Sequence, residues 1–193
     1  MSKKSKKAPA KTTETKASKA GSKGINLEKE ESVNLKELAR DERTWKITGA
    51  VFLLIALFLC IAFISYFFTW KDDQKWVQGG YVIFDENAKV SNLLGRLGAQ
   101  VSHFFIYKGF GVASLLICTF FFVVGVNLLY KAKVFSIGRN LKYVTIGLLV
   151  LSASLAFIMG ASDFSWGGGV GNMISDWMTG VFGTVGTAAV LLV

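Results

Sequence analysis

The sequence predicts an all-α integral membrane protein: four transmembrane helices with outer amphipathic helices, preceded by a disordered basic tail. Three observations predict it. The 193 residues are 52% hydrophobic, with 16 Phe, yet they carry a net charge of +9. The charge is segregated, with 13 Lys/Arg and 7 Asp/Glu in residues 1–46. The remainder holds long uncharged apolar runs, whereas a soluble globular domain interrupts such runs with charge. Only two cysteines occur, Cys60 and Cys118, each inside an apolar run, which excludes a secreted disulfide scaffold.

Residues 1–33 read as a disordered cytoplasmic tail. The first 24 are mostly Lys, Ala, Ser, Thr and Gly, and they bury too little apolar area to offset ordering entropy. No apolar stretch follows the lysines closely enough for a signal peptide. Lys3, Lys4, Lys6 and Lys7 suit either contact with DNA or anionic lipid, or a solvated topology signal. Residues 34–45 read as a juxtamembrane helix. Asn34 and Glu37 have capping-box spacing, and Leu35 and Leu38 share a face.

The membrane domain is expected over 46–193. A hydrocarbon core of about 30 Å takes roughly 20 apolar residues in a helix. Four runs without Asp, Glu, Lys, Arg or His meet or approach that length: 47–70, 109–130, 143–162 and 177–193. Backbone polar groups in lipid must be bonded internally, and these runs lack the alternation of a barrel, so each reads as a helix. Trp45, Trp70, Tyr130, Tyr143 and Trp177 mark their ends, as an interfacial aromatic belt would.

Orientation follows from Lys and Arg. The tail is basic, and the 131–142 loop holds Lys131, Lys133, Arg139 and Lys142 with no acid. Both are therefore expected on the cytoplasmic side, with the 71–108 and 163–176 loops outside and the C-terminus inside. The outer loop opens with polar Lys71-Asp72-Asp73-Gln74-Lys75. Further on, Leu94, Leu97, Val101, Phe104 and Phe105 fall at helical spacing, which makes an amphipathic helix on the outer leaflet or against the spans.

The second outer loop echoes the first. Gly98-x-x-Val101-Ser102 followed by Phe110-Gly111 matches Gly171-x-x-Ile174-Ser175 followed by Phe182-Gly183, with one gap. This predicts two tandem units of span, outer helix and span. Small residues recur every four positions at Ser152, Ala156 and Gly160, and at Gly180, Thr184 and Ala188. Such faces serve close helix packing within the bundle or between copies.

Little here could carry chemistry, and no catalytic, cofactor-binding or metal-binding residue is expected. The run Trp166-Gly167-Gly168-Gly169-Val170-Gly171 lacks the Lys-Ser/Thr of a phosphate loop. His103, the only histidine, has no ligand-spaced partner and reads as a packed or interfacial residue. Cys60 and Cys118 read as inert thiols at lipid depth. Asp163 and Asp176 read as solvated helix-end charges. Asn127 reads as an interhelical hydrogen-bonding group. The absence of ionisable groups from the spans leaves an ion or proton path unsupported.

The pattern resembles a family. The residues that carry the resemblance begin with Arg40-Asp41-Glu42-Arg43 before a first span ending Ala62-Phe63-Ile64-Ser65-Tyr66. Then come Asn92-x-x-Gly95-Arg96-x-Gly98-Ala99-x-x-Ser102-His103 and Phe110-Gly111. Trp166-Gly167-Gly168-x-x-Gly171 and Phe182-Gly183-x-x-Gly186 complete it. Over roughly 34–193 these resemble the N-terminal four-span membrane domain of FtsK/SpoIIIE DNA translocases. The resemblance implies a membrane anchor and septum-targeting domain for cell division and chromosome segregation, in the bacterial inner membrane. It implies the lipid bilayer, other division proteins and a homo-oligomer (a hexamer) as partners. DNA and ATP would be engaged only through a C-terminal motor, whose phosphate-loop motif this sequence does not contain. The chain by itself is thus not expected to be an enzyme.

The last run also reads as cut short. Counted from Trp177 it gives about 25 Å of helix with no basic flank, which leaves a terminal carboxylate near the inner edge of the core. Two other readings stand beside the anchor. One is a self-contained four-span membrane protein, such as a transporter or channel subunit. The other is a polybasic adaptor whose tail binds lipid or DNA.

Overall fold

The computed structural model describes residues 42–80 and 82–192. The tail expected over 1–33, and the 34–41 part of the juxtamembrane helix, lie outside the described residues. Among those described, every regular element is helical. We number the α-helices α1 (Glu42–Val77), α2 (Gly95–Ser102), α3 (Leu115–Tyr130), α4 (Ile137–Met159) and α5 (Gly168–Leu192). A π-helical stretch, His103–Phe110, and a 3-10 turn, Gly111–Ser114, join α2 to α3.

Among the described residues, three helices are long and apolar enough to cross a membrane: Glu42–Val77, Gly95–Tyr130 taken through its irregular turns, and Ile137–Met159. The first runs past both ends of the 47–70 expectation. At 36 residues it measures about 54 Å and projects beyond a core of about 30 Å. Nothing in 71–77 breaks a helix, so the polar opening of the outer loop is helical. The helix stops where glycine arrives: the Gly80 N–H donates to the Val77 carbonyl at 3.1 Å, with Gly80 at φ 75. Residues 42–45 are the first turn of this helix.

The second span starts later than expected. Gly109 (φ −89, ψ −120) and Gly111 (φ 61, ψ −138) interrupt the helical path. Regular α-helix begins at Leu115, and its 16 residues give about 24 Å. The third helix begins earlier than 143 and ends at Met159 rather than Ser162. Its first helical bond runs from Asn140 N–H to the Ser136 carbonyl, 2.9 Å, which brings Arg139 and Lys142 into its opening turns. The fourth segment departs most. Its helix starts at Gly168, and backbone at Gly183 (φ 70, ψ 173) breaks it. Beyond that break 184–192 adds about 14 Å. The expected uninterrupted span over 177–193 is therefore not what the described residues form.

Helix α1 packs along α3, α3 along α4 and α4 along α5, while α1 and α5 share no substantial contact. The helices thus form an open row rather than a closed bundle. Lipid supplies no hydrophobic drive for helices to associate, so close approach and polar contacts must hold the row. The α1–α3 seam shows this. A Cβ on Gly49 would sit 2.5 Å from the Leu129 nitrogen and 2.9 Å from the Gly125 carbonyl oxygen. Higher up, Ala56, Leu59, Phe63 and Tyr66 continue the buried face at intervals of three and four, the spacing of one helical stripe.

Candidate functional site

The polar work of the molecule concentrates at the C-terminal end of α1. Ser65, Thr69 and Asp73 lie four apart on one face of it. Asp73 is fully buried, and a buried carboxylate needs partners. Thr69 Oγ1 donates to Asp73 Oδ2 at 2.8 Å, and the Ser91 N–H donates to Oδ1 at 2.5 Å. The Leu93 N–H donates to Ser65 Oγ at 2.9 Å. Asn92, also buried, donates from Nδ2 to the Ala62 carbonyl and accepts the Leu94 N–H at Oδ1, both at 3.0 Å. Three consecutive residues, 91–93, are thereby clamped to α1. Arg96 then braces the loop, donating to the carbonyls of Ala88 (3.3 Å) and Glu86 (2.6 Å). Val77, Val82, Ala88 and Ala99 form a small apolar core under it.

His103 is packed rather than interfacial. It is fully buried, shares a 3.0 Å hydrogen bond between Nδ1 and the Tyr66 hydroxyl, and stacks on Tyr107 at 4.9 Å. Its Nε2 is buried without a hydrogen-bond partner. The ring fixes the turn that leads α2 into the break at Gly109–Gly111. Ser114 Oγ satisfies a carbonyl freed there, donating to Phe105 O at 2.5 Å.

The second outer loop closes the cap. Phe164 packs on Phe67, Trp70 and Trp166, at ring separations of 5.7, 5.5 and 5.3 Å. Lys71 and Asp163 add an exposed ion pair at 3.6 Å, of small energetic value. The glycine run passes beneath the first break. The Val112 N–H donates to the Trp166 carbonyl at 2.9 Å. A Cβ on Gly111 would overlap that carbonyl, and one on Gly168 would overlap Gly109 and Gly111. Gly167 and Gly171 press on the Ser152 carbonyl, so the Ser152 and Ala156 stripe serves packing inside the row. Gly180 and Thr184 of the other stripe are exposed. A polar hollow of about 270 Å³ lies beside this loop, edged by Tyr107, Asp163, Trp166 and Asn172.

The remaining sequence candidates fall elsewhere. Asn127 makes no interhelical bond. It clasps the turn after α3, donating from Nδ2 to Phe135 O at 2.7 Å and accepting the Phe135 N–H at 2.8 Å. Two hydrogen-bonding groups of one residue thus hold the 131–136 turn that the span pattern left as plain loop. Cys60 and Cys118 are free and face one apolar cleft of about 510 Å³ between α1 and α3. Asp176 is exposed within α5 rather than at a helix end. Among the described residues no three His, Cys, Asp or Glu stand together as a metal would require.

A model of the 4TM region of DNA translocase FtsK/SpoIIIE matches residues 42–193. The chain belongs to that family. No curated protein and no solved structure matches it. The 4TM region is thus a multi-pass membrane domain. In the sequence Asp73 reads as a loop charge. Its place four residues after Thr69 and eight after Ser65 was the signal that could have revealed it.

Proposed function

We propose that this chain is the membrane anchor and septum-targeting domain of a DNA translocase acting in cell division and chromosome segregation. It sits in the bacterial inner membrane with both termini cytoplasmic. Residues 111–130 run inward as the second span, and the fourth segment, broken at Gly183, follows in the same direction. The domain performs no catalysis itself. ATP hydrolysis and DNA contact belong to a motor outside 42–193, and the domain meets lipid, further copies of itself and other division proteins. The observation that carries this reading is the family match over 42–193. The basic inner turn with Lys131 and Lys133 supports the orientation.

The experiment is a fluorescent fusion to this chain in dividing cells, where enrichment at constriction sites is expected. Uniform signal along the envelope would remove the septal role. A periplasmic result from accessibility labelling at 131–136 would overturn the topology.

A further inference from the structure

The duplication predicted from sequence extends further in the structure. Asn92 to Gly95 and Ser165 to Gly168 form the same turn, with N–H to carbonyl distances of 2.9 and 3.1 Å. Each turn opens an outer helix at a glycine of positive φ, 62 at Gly95 and 68 at Gly168. Each outer helix ends at Phe-Gly with a second such glycine, φ 61 at Gly111 and 70 at Gly183. Gly98 to Gly111 is 13 positions, while Gly171 to Gly183 is 12. The extra residue falls where the first copy is π-helical, His103–Phe110, because a π turn closes over one more residue than an α turn.

Within the chain, the break of copy one docks on the opening turn of copy two. Gly111 meets Trp166-Gly167-Gly168, and Val112 bonds Trp166 O. The reciprocal pair is not joined. A Cβ on Gly183 or on Gly95 would meet open space, and α1 and α5, which carry or adjoin them, are the two ends of the row. An interface used once, with unlike surfaces left at either end, is heterologous, and such interfaces propagate from copy to copy.

The geometry points to a second copy of this chain as the occupant: the Gly183 break of one protomer docks on the Asn92–Gly95 turn of the next. That contact repeats the internal one. Two physical conditions at Gly183 call for protein cover. Non-helical backbone facing lipid is tolerated only where protein buries it. Yet Val181, Phe182 and Val185 around the break are exposed, Val185 at 85%, so water is an equally poor neighbour. The receiving turn is apolar too, with Leu93 at 78%. One position departs from the internal register: Gly169 presses on the Lys108 backbone carbonyl, and its counterpart in copy one is Arg96, which carries a side chain, so two copies stand further apart there than the two halves of one chain.

The register makes Leu93 and Thr184 the counterparts of Trp166 and Val112. Oxidative cross-linking in membranes tests it, with the full chain in a Cys60→Ala/Cys118→Ala background. The double variant Leu93→Cys/Thr184→Cys is expected to give a ladder of dimer, trimer and beyond. Each single variant alone should give at least tenfold less, and the two singles co-expressed should stop at dimer. A double variant and co-expressed singles that stay monomeric, as when lipid covers Gly183, would overturn the proposal. So would a single variant that cross-links as readily as the double. The ladder does not depend on where the protein sits in the cell, so loss of septal enrichment leaves this outcome separate.

Discussion

Replacing Asn92 by alanine tests the claim that the outer cap is held by side-chain hydrogen bonds rather than by lipid. Asn92 is 5% exposed and makes two bonds of 3.0 Å, one as donor to Ala62 O and one as acceptor from Leu94 N–H. Each bond contributes about 1 kcal/mol net, and a donor left unsatisfied away from water costs roughly 1–3 kcal/mol. The Ala62 carbonyl lies inside α1, where it keeps helical bonding, so the stranded group that matters is the Leu94 N–H. The sum is about 2–4 kcal/mol. Ser91→Ala is the control. Ser91 contributes only its backbone N–H to Asp73, which alanine retains, so it should shift stability by less than about 0.5 kcal/mol. The assay is reversible unfolding in mixed detergent–SDS micelles, with amide exchange read over 91–98. Asn92→Ala should weaken the whole domain and speed exchange there. If Asn92→Ala and Ser91→Ala lie within about 0.5 kcal/mol of each other, the clamp contributes nothing and the argument fails.

The glycines divide into two kinds. Gly111→Ala meets both an unfavourable φ and the Trp166 carbonyl, so it should cost about 2–5 kcal/mol in the same unfolding assay. Gly183→Ala meets an unfavourable backbone (φ 70, ψ 173) but open space, and in dilute micelles should cost only about 1–3 kcal/mol, less than Gly111→Ala; equal losses would contradict the distinction. Gly49→Ala places a Cβ against the backbone of α3 and should cost about 1–3 kcal/mol, with spin labels on α1 and α3 reading a wider separation; an unchanged distance would refute the close seam. Asn127→Ala frees both groups that hold Phe135, so amide exchange across 131–136 should accelerate while that of 42–70 does not.

Three of the four expected spans were legible because lipid imposes a simple rule: about 20 uncharged residues make a helix. Where the helices stop was less legible, since a hydropathy run does not distinguish helical from broken backbone. Gly183 sits within an uncharged run and still breaks its helix. The 71–77 segment carries five charged or amide side chains in a row and is nevertheless helical, because only Gly79 and Gly80 can end it. Asp73 was hidden for the same reason. Its charge reads as solvation in sequence, whereas its position relative to Ser65 and Thr69 reads as burial. The repeat was legible from five matched positions in each copy, one of them a glycine that a positive φ requires, Gly111 and Gly183. What the pattern could not give is which copies of the repeat touch. That depends on the order of helices in the row.

The two copies are fastened by different means, and the difference bears on strength. Copy one holds its opening turn by side chains: Asn92 reaches to the Ala62 carbonyl of α1, and Ser65 and Asp73 of α1 accept the Leu93 and Ser91 N–H groups. At the same place copy two has Ser165, Trp166 and Gly167, and holds its turn by backbone pressed on Ser152 and on the first break. A glycine surface admits backbone to van der Waals distance and excludes everything else. The opening turn of copy one, by contrast, has Arg96 where copy two has Gly169, at which a Cβ would already overlap the Lys108 carbonyl. A break docking there cannot approach as closely as Gly111 approaches Trp166. A contact between chains built on this turn is therefore weaker than the contact inside the chain. Separation of protomers should precede unfolding of any one of them: as detergent is raised, cross-linking between positions 93 and 184 should vanish while the 91–98 amides stay protected. Loss of both at one detergent concentration would mean that the two contacts are equally strong, and the argument from residue size would be wrong.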